Sequence, residues 1–244
     1  MADDLWNERV AAKYDENSAR MFSPEVLDPT VDFLADLAGD GRALEFAIGT
    51  GRVAVPLANT GVPLSGIDSS AAMIGQMTGK PGAEAIDAVV GDMTTTTVEG
   101  PFSLVYLVFN TIGNVQTQEA QVAVFRNAAR HLEAGGHFVV EVGVPDLQRL
   151  PPGETARPFL VTEQRWGFDE YDLVSQSATS HHFINRDGSL EYFACPYRYV
   201  WPAELDLMAQ LAGMNLKERW ADWNRNPFTA ESPGHVSVWE KPVS

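Results

Sequence analysis

The chain has 244 residues, 45% of them hydrophobic, and its 33 acidic against 17 basic residues give a formal net charge of −16. A chain of this length and apolar content is large enough for one α/β domain with a substantial buried core. The acidic charge works against nucleic acid and anionic membranes as partners, because both bind basic surfaces.

The first 40 residues are predicted to form a helical cap. The opening "MADDLWNERVAAKYDE" is polar and lacks the basic and apolar regions of a secretory signal. In "SPEVLDPTVDFLADLAG" the residues Val31, Leu34, Leu37 and Ala38 recur with the spacing of an amphipathic helix. The apolar runs elsewhere are too short to span a bilayer, so we expect a cytoplasmic protein.

Strands and helices alternate from there to residue 145. The predicted strands are "ALEFAI", "PLSGI", "AIDAVV", "FSLVYLVF" and "HFVVEVGV". Helical patterns follow Gly51, begin near Ser69 and fill "TQEAQVAVFRNAARHLEAGG", which we expect to end at its glycines. Five such units predict an α/β fold with a doubly wound, mostly parallel sheet and right-handed crossovers.

The sequence changes character after Pro145. Residues 146–201 are rich in β-branched and aromatic residues and contain the turn "NRDG", which predicts an antiparallel β insertion after the fifth strand, roofing the active site. A helix in "PAELDLMAQLAGM" and strands in "NLKERWADW" and "HVSVWEK" follow, which brings the main sheet to seven strands. We therefore expect a single domain over residues 1–244.

The turn after the first strand fits a dinucleotide site. Gly49, Gly51 and Ala54 match G-x-G-x-x-A, and Asp68 lies 19 positions after Gly49 (68 − 49), near the place of a ribose-binding acid. With Arg52, this pattern keeps an NADP-dependent oxidoreductase as an alternative function. The match is weak by itself, and no Tyr-x-x-x-Lys pair accompanies it.

Three carboxylates, Glu45, Asp68 and Asp92, lie at or near the ends of the first three predicted strands. The carboxyl ends of parallel strands line the ligand crevice of an open sheet, so these acids should converge. Glu45 would repel a pyrophosphate and attract a cationic ligand, and a buried carboxylate without a partner is costly. S-adenosylmethionine fits such acids, because it has an ammonium, a sulfonium, a ribose diol and an adenine amine.

Three segments, "LEFAIGTGR", "GIDSSAAM" and "VVGDM", in this order and spacing, resemble the class I S-adenosylmethionine-dependent methyltransferases. The likeness runs from about residue 10 to the C-terminus, and the insertion and tail resemble the small-molecule branch, which acts on natural products and amino sugars. The resemblance implies a Rossmann-like methyltransferase fold, S-adenosylmethionine as methyl donor and S-adenosylhomocysteine as product.

The resemblance also assigns cofactor-binding roles along the chain. It places the methionine end at the first motif, the ribose and adenine at the second and third, and the transferred methyl opposite the end of the fourth strand. Ala47 stands where the family usually has the first glycine of the turn. The residues that it assigns are Tyr14, Glu45, Ala47, Gly49, Gly51, Asp68, Ser69, Met73, Asp92, Met93, Phe109 and Asn110.

No motif identifies a catalytic base. His181 and His182 are candidates, and because they are adjacent on a predicted strand at most one can point inward; a surface or core histidine is the commoner outcome. Tyr14 matches a tyrosine that closes over the cofactor in the family, where its ring can stabilise a sulfonium, but it could equally hold a loose N-terminal helix in place. The sequence has no metal-ligand spacing of His and Cys, so no metal is expected.

These observations predict an enzyme that moves a methyl group to N or O of a small-molecule acceptor by in-line displacement, acting as a monomer or homodimer. The single cysteine, Cys195, excludes an internal disulfide framework. A non-catalytic S-adenosylmethionine-binding protein and an aminopropyl transferase, which uses the decarboxylated cofactor, are further alternatives with the same fold.

Overall fold

The structure is a computed structural model that describes residues 6–186 and 188–243. Its α-helices are α1 (Glu8–Asn17), α2 (Pro24–Ala38), α3 (Ala54–Asn59), α4 (Ala71–Thr78), α5 (Gln118–His131) and α6 (Pro202–Leu211). Residues 1–5 of the predicted N-terminal cap lie outside the described residues. Over the described part of the chain, no helix is both long enough and apolar enough to cross a membrane.

The main sheet has seven strands in the order β10-β11-β5-β4-β1-β2-β3. The strands from β3 through β2, β1 and β4 to β5 are parallel, and β11 runs antiparallel to both β5 and β10. The predicted α/β class and the doubly wound, mostly parallel sheet of seven strands are confirmed. The strands are β1 (Ala43–Phe46), β2 (Leu64–Asp68), β3 (Ile86–Val90), β4 (Phe102–Leu107), β5 (Leu132–Gly143), β10 (Asn215–Trp220) and β11 (Gly234–Glu240).

Helices cover both faces of this sheet, and each face has its own apolar core. One core packs α2 and α3 against one face, and the other packs α5 and α6 against the opposite face. The order of strands reverses between β1 and β4, where β1 has β2 on one side and β4 on the other. In an open sheet, ligands bind at the carboxyl ends of the strands beside such a reversal.

A second sheet follows β5, as predicted for an antiparallel insertion. Its strands are β6 (Ala156–Val161), β7 (Arg165–Asp172), β8 (Ser177–Arg186) and β9 (Ser189–Arg198), paired antiparallel in chain order. The predicted turn "NRDG" joins β8 to β9, and its Asp187 lies outside the described residues. A small core of Tyr171, Ala178 and Tyr199 is buried at the base of this sheet.

The predicted end of the long helix at its glycines is wrong. The helix α5 ends at His131, and β5 already begins at Leu132. The Lys241 ammonium donates to the carbonyls of Ala129 at 2.9 Å and Leu132 at 2.6 Å, so a cation from the far end of the chain satisfies the helix terminus.

A buried ionic network ties the inserted sheet to the helical layer. The Arg198 guanidinium is 5% exposed and donates to Gln121 and Glu204, each at 2.6 Å. Glu204 belongs to α6 and Gln121 to α5, so the last residue of β9 is fixed against both helices. Removing one partner of such a buried pair leaves an uncompensated charge.

We expect Glu204→Ala to destabilise the protein by about 3 kcal/mol, because Arg198 would keep its charge without a carboxylate. Thermal unfolding should show a melting temperature lower by roughly 6–12 °C for a chain of this size. The matched control is Glu191→Ala, which breaks the exposed Arg186–Glu191 pair and should cost at most about 1 kcal/mol. Equal losses in the two variants would contradict this role for the buried pair.

Candidate active site

The turn after β1 is built from residues in left-handed backbone conformations. Ala47, Gly49 and Gly51 have φ angles of 54°, 58° and 74°. A Cβ atom on Gly51 would lie 2.6 Å from the Met77 Cγ, so this position has neither the backbone geometry nor the space for a side chain. Ala47 adopts a conformation that favours glycine, which agrees with its place in a glycine motif. In this turn Ala47 and Gly49 are partly exposed, whereas Gly51 is buried against Met77.

Asp68 at the end of β2 fixes this turn. Its two carboxylate oxygens accept hydrogen bonds from the amides of Gly49 and Ser70, both at 2.8 Å. Burial raises the pKa of Asp68, while the hydrogen bonds from Ser70 and Gly49 oppose the rise. A carboxylate has about four acceptor sites, so Asp68 keeps capacity for ligand hydroxyl groups.

Glu45 lies within β1 and is only 3% exposed. The Tyr106 hydroxyl, from the neighbouring strand β4, donates to its Oε2 at 2.9 Å. Burial raises the pKa of Glu45 to about 8, although the Tyr106 hydrogen bond and the charge of Arg52 lower it. Burial therefore favours the neutral form of this carboxyl group, and a cation beside it would favour the carboxylate.

The other residues assigned to the ribose and adenine lie beside the glycine turn or after β2 and β3. Met73 is buried, and its Cε lies 3.4 Å from the position of a Cβ on Gly49. Ser69 and Asp92 are exposed after β2 and β3. Asp92 accepts from the amide of Thr94 at 2.7 Å, so it forms a turn and leaves its second oxygen available. Met93 packs on the core with α5.

The helix α1 covers the glycine turn. Asp15 accepts from the Thr50 hydroxyl at 2.6 Å and pairs with the Lys80 ammonium, and the Lys80 ammonium also donates to the Thr50 carbonyl at 2.7 Å. Tyr14 is half-buried beside these residues, and burial raises its pKa, although the charge of Arg52 lowers it. Of the three catalytic candidates, Tyr14 is the one that lies within electrostatic range of Glu45.

A strained segment follows β4. Phe109 and Asn110 are exposed and have φ angles of 59° and 60°, a conformation that is costly for two successive residues with side chains. The Glu141 carboxylate of β5 stabilises it, because it accepts from the Phe109 amide at 2.8 Å and from the Trp223 indole at 2.9 Å. Asn110 in turn accepts from the Gly143 amide at 2.6 Å. Hydrogen bonds to β5 thus hold the segment after β4 in this conformation.

His181 and His182 lie on opposite faces of β8, and their hydrogen bonds stay within the inserted sheet. The His181 Nδ1 is 2.8 Å from the Tyr192 hydroxyl, and the His182 Nε2 is 3.1 Å from the Ser180 hydroxyl. His182 stacks on Phe193 at 4.6 Å between ring centres, and burial lowers its pKa. A role for either as a general base remains a prediction.

Several residues of the site were missed by the sequence interpretation. Tyr106, Asp15 and Glu141 each make a hydrogen bond that shapes the crevice. A tyrosine inside an apolar strand was an available signal, because a buried hydroxyl needs a partner. Over the described residues, no group of three or more His, Cys, Asp or Glu side chains is placed to hold a metal ion.

Comparison with known proteins identifies the family. A methyltransferase domain family matches residues 43–136. Cypemycin N-terminal methyltransferase from a Streptomyces species is 26% identical over 242 residues, which cover 93% of this chain and 97% of that protein. The CcbJ methyltransferase from Streptomyces caelestis is 35% identical with a TM-score of 0.79, and the match covers 88% of this chain and 89% of that chain.

A more distant structure has the same fold. The S-adenosylmethionine-bound CalS10, an amino pentose methyltransferase from Micromonospora echinaspora involved in calicheamicin biosynthesis, has a TM-score of 0.67 at 17% identity, covering 89% of this chain and 90% of that chain. Fold, glycine turn and strand-end carboxylates together define a methyltransferase. The chain belongs to the class I S-adenosylmethionine-dependent methyltransferases, and the predicted resemblance to their small-molecule branch is confirmed.

The raised pKa of Glu45 predicts a pH-dependent stability. Because the folded protein binds this proton more tightly than the unfolded chain does, the free energy of unfolding should fall as pH rises from about 5 to 8, by at most about 1.4 kcal/mol per pH unit. Glu45→Gln lacks this titration, so the melting temperature of the variant minus that of the wild type should increase as pH rises through this range. Glu99→Gln, at an exposed position, should follow the wild type. Parallel profiles for wild type and Glu45→Gln would show that Glu45 titrates normally.

Proposed function

We propose that the crevice at the ends of β1, β2 and β3 binds S-adenosylmethionine, and that the enzyme transfers its methyl group to a nitrogen or oxygen of a small-molecule acceptor. The observation that carries this proposal is the convergence of Glu45, Asp68 and Tyr14 on one strained glycine turn. When bound, the cofactor supplies a methyl group that is already activated by its positive sulfonium.

The donor set of the crevice fits this ligand. Glu45 is a buried carboxyl group without a salt bridge among the described residues, and it would bind the ammonium of the methionine portion. Asp68 would accept from the ribose hydroxyls, with Ser69 and Met73 beside the ribose and adenine. Asp92 and Met93 would lie at the adenine edge.

Residues at the turn and at the end of β4 complete the proposed cofactor site. Ala47 and Gly49, which are partly exposed, would bring main chain against the methionine portion, and Gly51 would allow the left-handed turn beside them. Phe109 and Asn110 would face the transferred methyl, held in place by Glu141. Tyr14 would present its ring to the sulfonium as α1 covers the site.

A nitrogen acceptor is favoured over an oxygen acceptor. Among the described residues, no side chain is established as a general base of the crevice. An amine needs only to lose its ammonium proton before it attacks, whereas a hydroxyl needs a positioned base. Cypemycin N-terminal methyltransferase, which is named for an N-terminal acceptor, supports the same choice. The chain's own role would be to align the acceptor and exclude water.

The inserted sheet is the part of the protein that we expect beside the acceptor. Residues 146–201 would cover the acceptor side of the crevice, because the end of β9 lies close to the segment after β4. A Cβ on Gly113 would lie 3.3 Å from the Arg198 carbonyl.

The net charge of −16 argues against nucleic acid as substrate. The single cysteine supports a cytoplasmic location, since secreted proteins commonly carry disulfides. A monomer or homodimer remains the expected state.

Isothermal titration tests the cofactor assignment. We expect S-adenosylmethionine and S-adenosylhomocysteine to bind with micromolar affinity, and Asp68→Ala to weaken both at least tenfold, about 1.4 kcal/mol, because the ribose hydroxyls lose their acceptor. Asp68→Asn keeps a single acceptor oxygen, which serves only one of the Gly49 and Ser70 amides, so it should lose less affinity than Asp68→Ala does. Asp87→Ala, at an exposed position of β3, is the control and should bind as the wild type does.

The outcome that would contradict the proposal is binding of NADP alone. It would mean that the glycine turn and Arg52 hold a dinucleotide phosphate despite the nearby Glu45. Micromolar binding of S-adenosylmethionine justifies an acceptor screen with small amines, in which formation of S-adenosylhomocysteine is the readout.

A further inference from the structure

A cavity of about 320 Å³ lies between α2 and the loop that joins β10 to β11, residues 221–233. Part of its wall is aromatic, because the rings of Phe33 and Trp223 meet edge to face with 5.4 Å between their centres. Asp28 and Asp32, one turn apart on α2, also line the cavity, and both are exposed. Aromatic walls combined with a few charged groups in a space of this volume are typical of a small-molecule site.

The carboxylates of Asp28 and Asp32 have no counter-charge in the protein. Over the part of the chain that the structure describes, no basic nitrogen lies within 4.0 Å of either of them. Asp36, one turn further along α2, pairs instead with Arg225 at 3.1 Å. Charges of the same sign four positions apart on a helix repel each other, and among the described α-helices α2 alone carries acids at this spacing. The unpaired carboxylates therefore destabilise α2 slightly, and a cation bound between them would remove the repulsion.

The aromatic wall of the cavity already contacts one cation. The Arg225 guanidinium carbon lies 4.5 Å from the centre of the Phe33 ring, within the range of a cation–π interaction. Trp223 is half-buried, and none of the described arginines and lysines lies over its ring. An indole attracts cations more strongly than the other aromatic side chains do. The cavity thus provides an indole ring and two carboxylates to a cation that carries an apolar body.

One carboxyl group joins this cavity to the place proposed for the transferred methyl. Glu141 accepts from the Trp223 indole through its Oε1 and from the Phe109 amide through its Oε2. A wall of the cavity and the segment after β4 are therefore separated by a single side chain. An acceptor that occupies the cavity would have its other end beside Phe109.

We propose that this cavity binds a cationic amino group of the methyl acceptor, distinct from the nitrogen that is methylated. This inference rests on the proposed function. The ammonium would lie between Asp28 and Asp32, the apolar body of the acceptor would lie against Trp223, and the reacting nitrogen would lie, uncharged, near Phe109. The acceptor is then a molecule with two amino groups joined by an apolar body.

Two ligands with the same carbon skeleton test the cavity by titration calorimetry at neutral pH. p-Xylylenediamine carries an ammonium at each end, and 1,4-benzenedimethanol carries a hydroxyl at each end. We expect the wild type to bind the diamine at least tenfold more tightly than the dialcohol. In Asp28→Asn/Asp32→Asn the affinity for the diamine should fall at least tenfold, with that for the dialcohol unchanged within about threefold. This double variant should melt no lower than the wild type, because it removes a repulsion from α2.

Asp87→Asn/Glu119→Gln is the matched control, because it makes the same change in net charge at two exposed positions on β3 and α5. It should bind both ligands as the wild type does. Equal affinities of the wild type for the two ligands, or no binding of the diamine, would overturn the inference. An unchanged affinity of Asp28→Asn/Asp32→Asn for the diamine would overturn it as well. An equal loss in the control would also overturn it, since the net charge of the protein would then attract the diamine.

The titrations are run with and without S-adenosylhomocysteine, whose own binding is measured in the same preparation. Failure of the wild type to bind S-adenosylhomocysteine would refute the proposed function itself. The outcomes for the diamine concern the cavity alone, so the two failures are distinguishable.

Discussion

The burial of the Glu45 carboxyl group is the constraint on which the rest of the site depends. It lies in a central strand of the sheet, where the Tyr106 hydroxyl donates to it, and burial raises its pKa to about 8. Such a group is costly in a strand that could have carried an apolar residue. A bound cation would offset this cost, because it would lower the pKa of Glu45 and pair with the carboxylate. The left-handed turn, the anchoring of that turn by Asp68 and the cover of α1 all lie around this one group.

The crevice divides into two halves with different physical characters. The half at β1, β2 and β3 is charged and built on hydrogen bonds from main-chain amides, which suits a polar ligand of fixed shape. The half at β4 and β5 is braced by Glu141, which holds Phe109 and Asn110 in strained conformations through a charge-assisted hydrogen bond. This hydrogen bond fixes the Phe109 main chain before any ligand is bound. A preorganised surface beside the donor methyl is what in-line transfer requires of a protein.

Much of the fold follows from local pattern, and the part that does not depends on contacts between distant residues. The parallel strands and the carboxylates at their ends could be predicted, because apolar runs and glycine turns fix where each strand stops. The end of α5 could not, since its carbonyls are satisfied by Lys241, more than a hundred positions away. Tyr106 and Glu141 were not predicted for the same reason. The register of neighbouring strands decides which residue of β4 faces Glu45 and which residue of β5 reaches Phe109. The sequence analysis connected Arg52 only with the dinucleotide alternative, and the structure places its guanidinium over the Phe109 ring.

The central claim is that a buried carboxyl group and a strand-end aspartate hold opposite ends of one cofactor. A crystal structure of the protein with S-adenosylhomocysteine tests it most directly. We expect the ribose hydroxyls within hydrogen-bond distance of Asp68 and the α-ammonium within reach of Glu45, with the sulfur directed toward Phe109. A ligand bound away from the glycine turn, or one whose amino-acid group points away from Glu45, would contradict it.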